Sequence, residues 1–124
     1  MSAVSAEADM IVITGWIDVD PAVRDDLIAA TVPLQRSTRE DEPGCLAYVF
    51  AADPAVDGRI HIYEQWATAA DLDAHFQHPN FHATGQLLRS QPRHGGETSK
   101  LHVDRAGPVR DPDGAASATY WPGG

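Results

Sequence analysis

Apolar residues recur along the chain in two ways, as short β-branched runs and at spacings of three or four residues. Residues 10–17 (MIVITGWI) are typical of a buried strand. Residues 45–52 (CLAYVFAA) and 59–66 (RIHIYEQW) predict two more strands, and the turn residues of 53–58 (DPAVDG) predict that they form a hairpin. The alternating stretch 98–104 (TSKLHVD) predicts a fourth strand.

The first helix is predicted to begin at Asp20-Pro21. An aspartate accepts hydrogen bonds from the free N–H groups of a helix start, and proline suits the first helical turn. Pro33 predicts a kink in this helix, or its division into two, because proline has no N–H to donate. Pro43-Gly44 is a strong signal for the end of this helix. The predicted inward face carries Val23, Leu27, Ala30 and Leu34.

The second helical region follows the third strand. Thr68 is the expected N-cap of a short helix, with Asp71 three positions on in a capping-box arrangement, and its apolar face carries Leu72, His75 and Phe76. His78-Pro79 interrupts this helix. A further helix is expected to end before Gly95-Gly96, and its inward residues are Phe81, Thr84, Leu87 and Leu88.

The element order is therefore β-α-β-β-α-β. It predicts an α+β, ferredoxin-like fold, in which an antiparallel four-stranded sheet has its helices on one face. This domain spans residues 10–104, between a flexible N-terminal arm (1–9) and a C-terminal tail (105–124) rich in Gly, Pro and Ala. In the tail, Tyr120 and Trp121 either anchor it on the body or a partner subunit, or belong to a disordered end.

Both faces of the predicted sheet are apolar. In the first strand, Ile11, Ile13 and Ile17 alternate with Val12 and Trp16, and in the second, Cys45, Ala47 and Val49 alternate with Leu46, Tyr48 and Phe50. Because the helices cover only one face, a second copy of the sheet is the simplest cover for the other. We therefore expect a homodimer with the two sheets packed face to face.

Charge and cysteine content narrow the class of protein. The formal net charge of −9 disfavours nucleic acid and anionic membranes as partners. Cys45 is the only cysteine, so no disulfide within the chain is possible and a thiolate zinc site is not expected. Residues 1–10 lack the pattern of a secretory signal, and no apolar run approaches the roughly 20 residues of a membrane span. These features favour a cytoplasmic enzyme or binding protein.

Several short motifs accompany the predicted element order. They are Glu42-Pro43-Gly44-Cys45, Asp53-Pro54 and Tyr63-Glu64-Gln65-Trp66, followed by Leu72, Ala74-His75-Phe76 and Phe81. In these residues the chain resembles the antibiotic biosynthesis monooxygenase family, a group of dimeric α+β barrels that includes small quinol monooxygenases. The resemblance covers roughly residues 10–104.

The resemblance implies an oxygenase with O₂ as co-substrate and no metal, flavin or haem cofactor. An electron-rich phenol or quinol can itself give an electron to O₂ once it is deprotonated, so the protein must bind the ring, remove a proton and stabilise the oxyanion. Haem degradation, known among relatives, is disfavoured. Trp66 matches their tryptophan, but the first strand has no asparagine and the matching helical histidine position falls near Gly85.

Seven residues are candidates for the site. Trp66, at the position matched to the family, is the expected pocket wall, and His75, on an apolar helix face, is the expected proton acceptor. Each also fits an ordinary core position. The expected substrate-binding residues are Tyr63, Glu64, Phe76, Phe81 and His82. Tyr48 and Tyr63 are suited to bond either a substrate oxygen or the partner subunit.

His75, His78 and His82 have spacings that metal ligands use on one helix face. Pro79 breaks the helix between them, so no metal site is expected.

The resulting prediction is a cofactor-independent monooxygenase that oxidises a phenolic, quinol or polyketide-type aromatic substrate with O₂. Two alternatives use the same pocket. One is a dimeric ligand-binding module without turnover, and the other is an isomerase or cyclase that carries out acid–base chemistry alone.

Overall fold

One antiparallel sheet and three helices make up the computed structural model, which describes residues 9–120. The strand order in the sheet is β2-β3-β1-β4. This arrangement confirms the predicted ferredoxin-like βαββαβ fold. The elements are β1 (Met10–Asp18), α1 (Pro21–Asp41), β2 (Cys45–Ala52), β3 (Arg59–Trp66), α2 (Ala69–Gln77), α3 (Pro79–Arg89) and β4 (Gly95–Val103).

The hydrophobic core lies between the helices and one face of the sheet, the inner face. Its register places residues of β1 directly opposite residues of β3, for example Ile17 opposite Ile60 and Ile13 opposite Glu64. Directly opposed residues of an antiparallel pair share a face. The buried residues of β3 are Ile60, Ile62, Glu64 and Trp66, so this alternate set lies on the inner face.

Side-chain caps fix the helix starts, as predicted. Asp20 accepts a hydrogen bond from the Ala22 N–H at 2.9 Å, and Thr68 accepts one from the Asp71 N–H at 3.1 Å. His78 ends α2 and also begins α3, where its Nδ1 accepts the Asn80 N–H at 3.0 Å. The break before Pro79 therefore turns the chain without leaving this helix start uncapped.

The first helix differs from its prediction in two ways. It is continuous through Pro33, which lies on the exposed side, where solvent can satisfy the carbonyl that loses its partner. Its buried face is also rotated, because Ala30 is exposed and three polar residues take inward positions. Two of them satisfy each other, since Gln35 Nε2 donates to Thr31 Oγ1 at 3.0 Å. The buried residues of α1 are Leu27, Thr31, Gln35 and Thr38.

A bulge at the start of β2 corrects the predicted faces of that strand. The register against β3 shifts between Cys45 and Ala47, and the extra residue, Leu46, is 56% exposed. Cys45 instead packs against the core. An extra residue in one strand changes which residues before and after it share a face of the sheet. Counting alternate residues along the sequence does not reveal such a change.

The last strand begins at Gly95 rather than Thr98, so Gly95-Gly96 are part of the sheet and do not merely end a helix. They pair with Asp18 and Ile17 of β1. At Gly96 the backbone φ is 153°, and a side chain there would approach the Trp16 carbonyl oxygen to 2.8 Å. Most of β4 is exposed, because the helices cover the sheet mainly at β2 and β3.

The C-terminal tail forms a local turn. Arg110 and Ala116 make an isolated antiparallel bridge, and the Ser117 N–H donates to the Val109 carbonyl at 2.9 Å. Tyr120 is 58% exposed, so it is not buried as an anchor on the body. Trp121 and most of the predicted N-terminal arm lie outside the described residues. Within residues 9–120, no helix combines the length and apolar character needed to cross a membrane.

Candidate active site

An apolar cavity of about 250 Å³ lies between the inner face of the sheet and helices α2 and α3. Its volume is just below the usual range for small-molecule sites, roughly 300–1,000 Å³, which favours a ligand of few rings. Glu64 is the only carboxylate among its walls. The lining residues are Ile13, Tyr48, Phe50, Ile62, Glu64, Phe76, Phe81, Thr84, Gly85, Leu88 and Thr98.

Glu64 is an acid held under apolar cover. Its side chain reaches the cavity from β3 and the residue is 8% exposed. Burial raises the pKa of this carboxyl to about 7, and the charge of Glu42 adds to the rise, while the hydrogen bond from Trp66 opposes it. A carboxyl group that titrates near neutrality can accept a proton from a ligand and release it again.

Tyr48 lies opposite Glu64 in the β2–β3 register and is 1% exposed. Burial, and next the charge of Glu64, raise its pKa beyond the usual tyrosine range, so the hydroxyl stays protonated and is a hydrogen-bond donor. The neighbouring Thr84 hydroxyl opposes this rise in pKa, and its Oγ1 is buried without a hydrogen bond among the described residues. The cavity thus places one proton acceptor beside a protonated hydroxyl.

Trp66 fixes the Glu64 carboxylate from behind. Its indole Nε1 donates a hydrogen bond to Glu64 Oε1 at 3.0 Å. The other side of the indole meets the His75 ring, with centroids 4.5 Å apart and a tilt of 33°. Since the tryptophan is fully buried, these contacts hold the acid in one orientation.

His75 is held in turn by a buried carboxylate at the end of α1. Its Nδ1 lies 2.8 Å from Glu42 Oε1, and Asn80 Nδ2 donates to Glu42 Oε2 at 3.0 Å. Burial lowers the pKa of His75, so the ring is neutral at neutral pH, and Nδ1 carries the proton because a carboxylate only accepts hydrogen bonds. Contacts therefore run without interruption from Glu42 through His75 and Trp66 to Glu64.

The structure brings three of the seven candidate residues to the cavity, namely Glu64, Phe76 and Phe81. Trp66 and His75 lie behind its wall, 0% and 1% exposed, which corrects the expected positions of a ring-stacking wall and a ligand-facing base. Trp66 instead borders a smaller pocket on its far side, about 110 Å³ in volume.

The two remaining candidates point elsewhere. Tyr63 lies on the outer face of the sheet and is 41% exposed, so it does not reach this cavity. His82 is exposed on α3, where its ring contacts the Phe81 ring at a centroid distance of 5.6 Å. Within residues 9–120, no three His, Cys, Asp or Glu side chains are grouped to hold a metal ion.

From the sequence, Glu42 stands out only as part of a motif and is not predicted as a residue of the site. It ends the charged run Arg39-Glu40-Asp41-Glu42, which is typical of a solvated helix end. A signal was nevertheless present. Glu42 continues the 4-3-4 spacing of the buried polar residues Thr31, Gln35 and Thr38, which places it on the same helix face.

The fold is that of an α+β protein in which two short helices on an antiparallel sheet enclose a largely apolar cavity. The model of the antibiotic biosynthesis monooxygenase family matches residues 10–87. The chain therefore belongs to that family.

The chain is also 39% identical over 74 residues to an uncharacterized protein of Synechocystis; the match covers 60% of this chain and 50% of that protein, so this chain spans about half its length. A Caulobacter crescentus structure, provisionally named an antibiotic biosynthesis monooxygenase, has a TM-score of 0.70 at 22% identity and covers 78% of this chain and 92% of its own. A Bacteroides thetaiotaomicron protein of unknown function, described as a possible oxidoreductase, has a TM-score of 0.67 at 22% identity, over 76% of this chain and 97% of its own. These two likenesses concern the fold.

Proposed function

We propose that this protein is a monooxygenase that needs no cofactor and oxidises a small phenolic or quinol-type aromatic substrate with O₂. The observation that carries the proposal is Glu64, a single carboxyl group in an otherwise apolar cavity, with its pKa raised to about 7. The family to which the chain belongs supports the reaction class.

In the proposed reaction, the Glu64 carboxylate accepts the proton of the substrate hydroxyl. The Tyr48 hydroxyl, which stays protonated, donates a hydrogen bond to the resulting oxyanion. The electron-rich anion then transfers an electron to O₂, and the two radicals combine at a ring carbon. When a ring CH₂ becomes a carbonyl, or a ring C–H of a quinol becomes the C–OH of a hydroxyquinone, the substrate supplies all four electrons, one oxygen atom enters the product and the other leaves as water.

The proposal changes the roles expected for two residues. Glu64, rather than His75, is the proton acceptor, because Glu64 faces the cavity and His75 does not. His75 and Trp66 become positioning residues that hold the carboxylate through the Trp66 hydrogen bond. Phe76 and Phe81, whose rings meet at 5.0 Å, form the aromatic wall against which a substrate ring packs.

Oxygen uptake tests the reaction class. Metal-stripped protein is incubated with anthrone and with menadiol, and O₂ consumption is followed above the autoxidation background. With ¹⁸O₂, we expect one labelled oxygen in the product and a rate that is unchanged by added chelator. Ligand binding without any uptake would overturn the oxygenase and favour the alternatives, a binding module or an isomerase or cyclase that uses Glu64 for proton transfer alone.

We also propose that a second copy of the chain covers the outer face of the sheet. This face leaves Tyr63 on the interior strand β3 41% exposed and Leu101 on the edge strand β4 48% exposed, so large side chains of both strands lie open on it. Light scattering of the protein in solution is expected to give twice the chain mass of 13.4 kDa. A single-chain mass at micromolar concentration would contradict the homodimer.

A further inference from the structure

Arg89 lies in the last turn of α3, close to the cavity wall. Gly85, one turn earlier, lines the cavity, and Arg89 Nη1 lies only 2.8 Å from the place where a Cβ on Gly85 would be. Because Gly85 has no side chain, the guanidinium folds back over this part of the wall. The positive group therefore stands beside the wall residue Gly85, while the residue remains exposed to solvent.

Lys100, the only lysine of the chain, lies on β4 two residues after Thr98, outside the cavity wall itself. In the register of the sheet it is opposite Ile13, which in turn is opposite Glu64, so the three residues share the inner face. Two strand spacings, about 10 Å, separate the backbone of Lys100 from that of Glu64. Thr98, two residues before Lys100, lines the cavity on the edge strand, whose faces are largely exposed.

Neither cation has a partner among residues 9–120, where Arg89 and Lys100 make no hydrogen bond and no ion pair. This is notable in a chain with 18 acidic and 9 basic residues. Arg59, by contrast, is paired with Asp18 at 2.8 Å. The nearest acid of β4, Glu97, is opposite Trp16 and so lies on the outer face. Arg89 and Lys100, which neighbour the wall residues Gly85 and Thr98, therefore have no acidic partner among the described residues, and Glu64 is the only acid in the wall itself.

We propose that Arg89 and Lys100 bind an anionic group of the substrate, which makes the substrate an aromatic acid that carries both a hydroxyl group and a carboxylate. The inference rests on the proposed function, because it concerns the same cavity. A carboxylate at the mouth accepts charge-assisted hydrogen bonds from the guanidinium and the ammonium group. The distance of about two strand spacings to Glu64 fits one or two fused rings, with the hydroxyl group directed toward Glu64.

Anaerobic binding tests the anion site without any turnover. The dissociation constants of 6-hydroxy-2-naphthoate and 2-naphthol are measured by calorimetry at low salt. The wild-type protein is compared with the double variant Arg89→Gln/Lys100→Met and with Arg36→Gln, which removes an exposed, unpaired cation from α1 outside the cavity wall. Thermal melting checks that each variant is folded, as expected for exposed positions.

We expect the wild-type protein and Arg36→Gln to bind the acid about tenfold more tightly than the neutral naphthol, and the double variant to lose that preference with its naphthol affinity unchanged. The anion site would be overturned if the double variant preferred the acid over the naphthol as strongly as the wild-type protein does, or if the wild-type protein showed no such preference. Preference without oxygen uptake would keep the anion site and remove the oxygenase. Oxygen uptake with neutral phenols, without a preference for the acid, would support the oxygenase and overturn the anion site. If neither ligand bound, both proposals would be overturned.

Discussion

Glu64→Gln is expected to lower kcat by roughly 10²- to 10⁴-fold, the usual contribution of a general base. The glutamine has nearly the same shape, and its amide oxygen can still accept the hydrogen bond that Trp66 Nε1 donates at 3.0 Å in the native protein. It cannot take up the substrate proton at neutral pH. The affinity for an unreactive aromatic ligand should therefore stay within about twofold.

The measurement is oxygen uptake at saturating substrate, together with ligand affinity under argon. Glu97→Gln is the matched control, because it removes the same charge from the outer face of β4, outside the cavity wall. It should retain full activity. If Glu64→Gln kept more than half of the wild-type kcat, the carboxyl group would not be the base.

Glu42→Ala should cost about 2–6 kcal/mol of unfolding free energy, because two buried donors lose their acceptor at about 1–3 kcal/mol each. The change leaves His75 Nδ1 and Asn80 Nδ2 without their acceptor and opens space beside Trp66. The midpoint of thermal unfolding should fall by roughly 10 °C or more.

Urea unfolding measures this free energy. Glu40→Ala, which removes an exposed carboxylate from the same turn of α1, should change it by less than about 0.5 kcal/mol. Equal small effects of the two substitutions would mean that the Glu42 network does not stabilise the fold. The loss of unfolding free energy in Glu42→Gln should lie between the losses in Glu42→Ala and Glu40→Ala. An amide has an acceptor at one end only, so it can accept one of the two hydrogen bonds but not both.

The fold was predictable because each local feature agreed with it. β-Branched runs, the caps at Asp20 and Thr68 and the break at Pro79 all lie within a few residues, so they can be read from the sequence directly. The errors have a different origin. The bulge at Leu46 and the early start of β4 at Gly95 depend on pairing with a neighbouring strand, which local periodicity does not contain.

The site was predictable only in part. Alternation along β3 puts Glu64 and Trp66 on one face of the strand, but their different roles depend on how α2 and α3 cover that face. His75 was rightly expected on the apolar side of α2. Its partner, Glu42, is 33 residues away along the chain, and only the tertiary structure brings the two together.

The central claim is that Glu64 acts as a base that titrates near neutrality, and the pH dependence of kcat/KM tests it most directly. With the pKa of Glu64 raised to about 7, the carboxyl group is protonated and inactive below that pH and ionised above it. In metal-stripped protein, after subtraction of autoxidation, kcat/KM should rise from about pH 5, pass its midpoint near 7 and level off by about pH 9. The residual kcat/KM of Glu64→Gln should lack this rise with pH. A flat profile in the wild-type protein, or a rate that falls as the pH rises, would contradict the account.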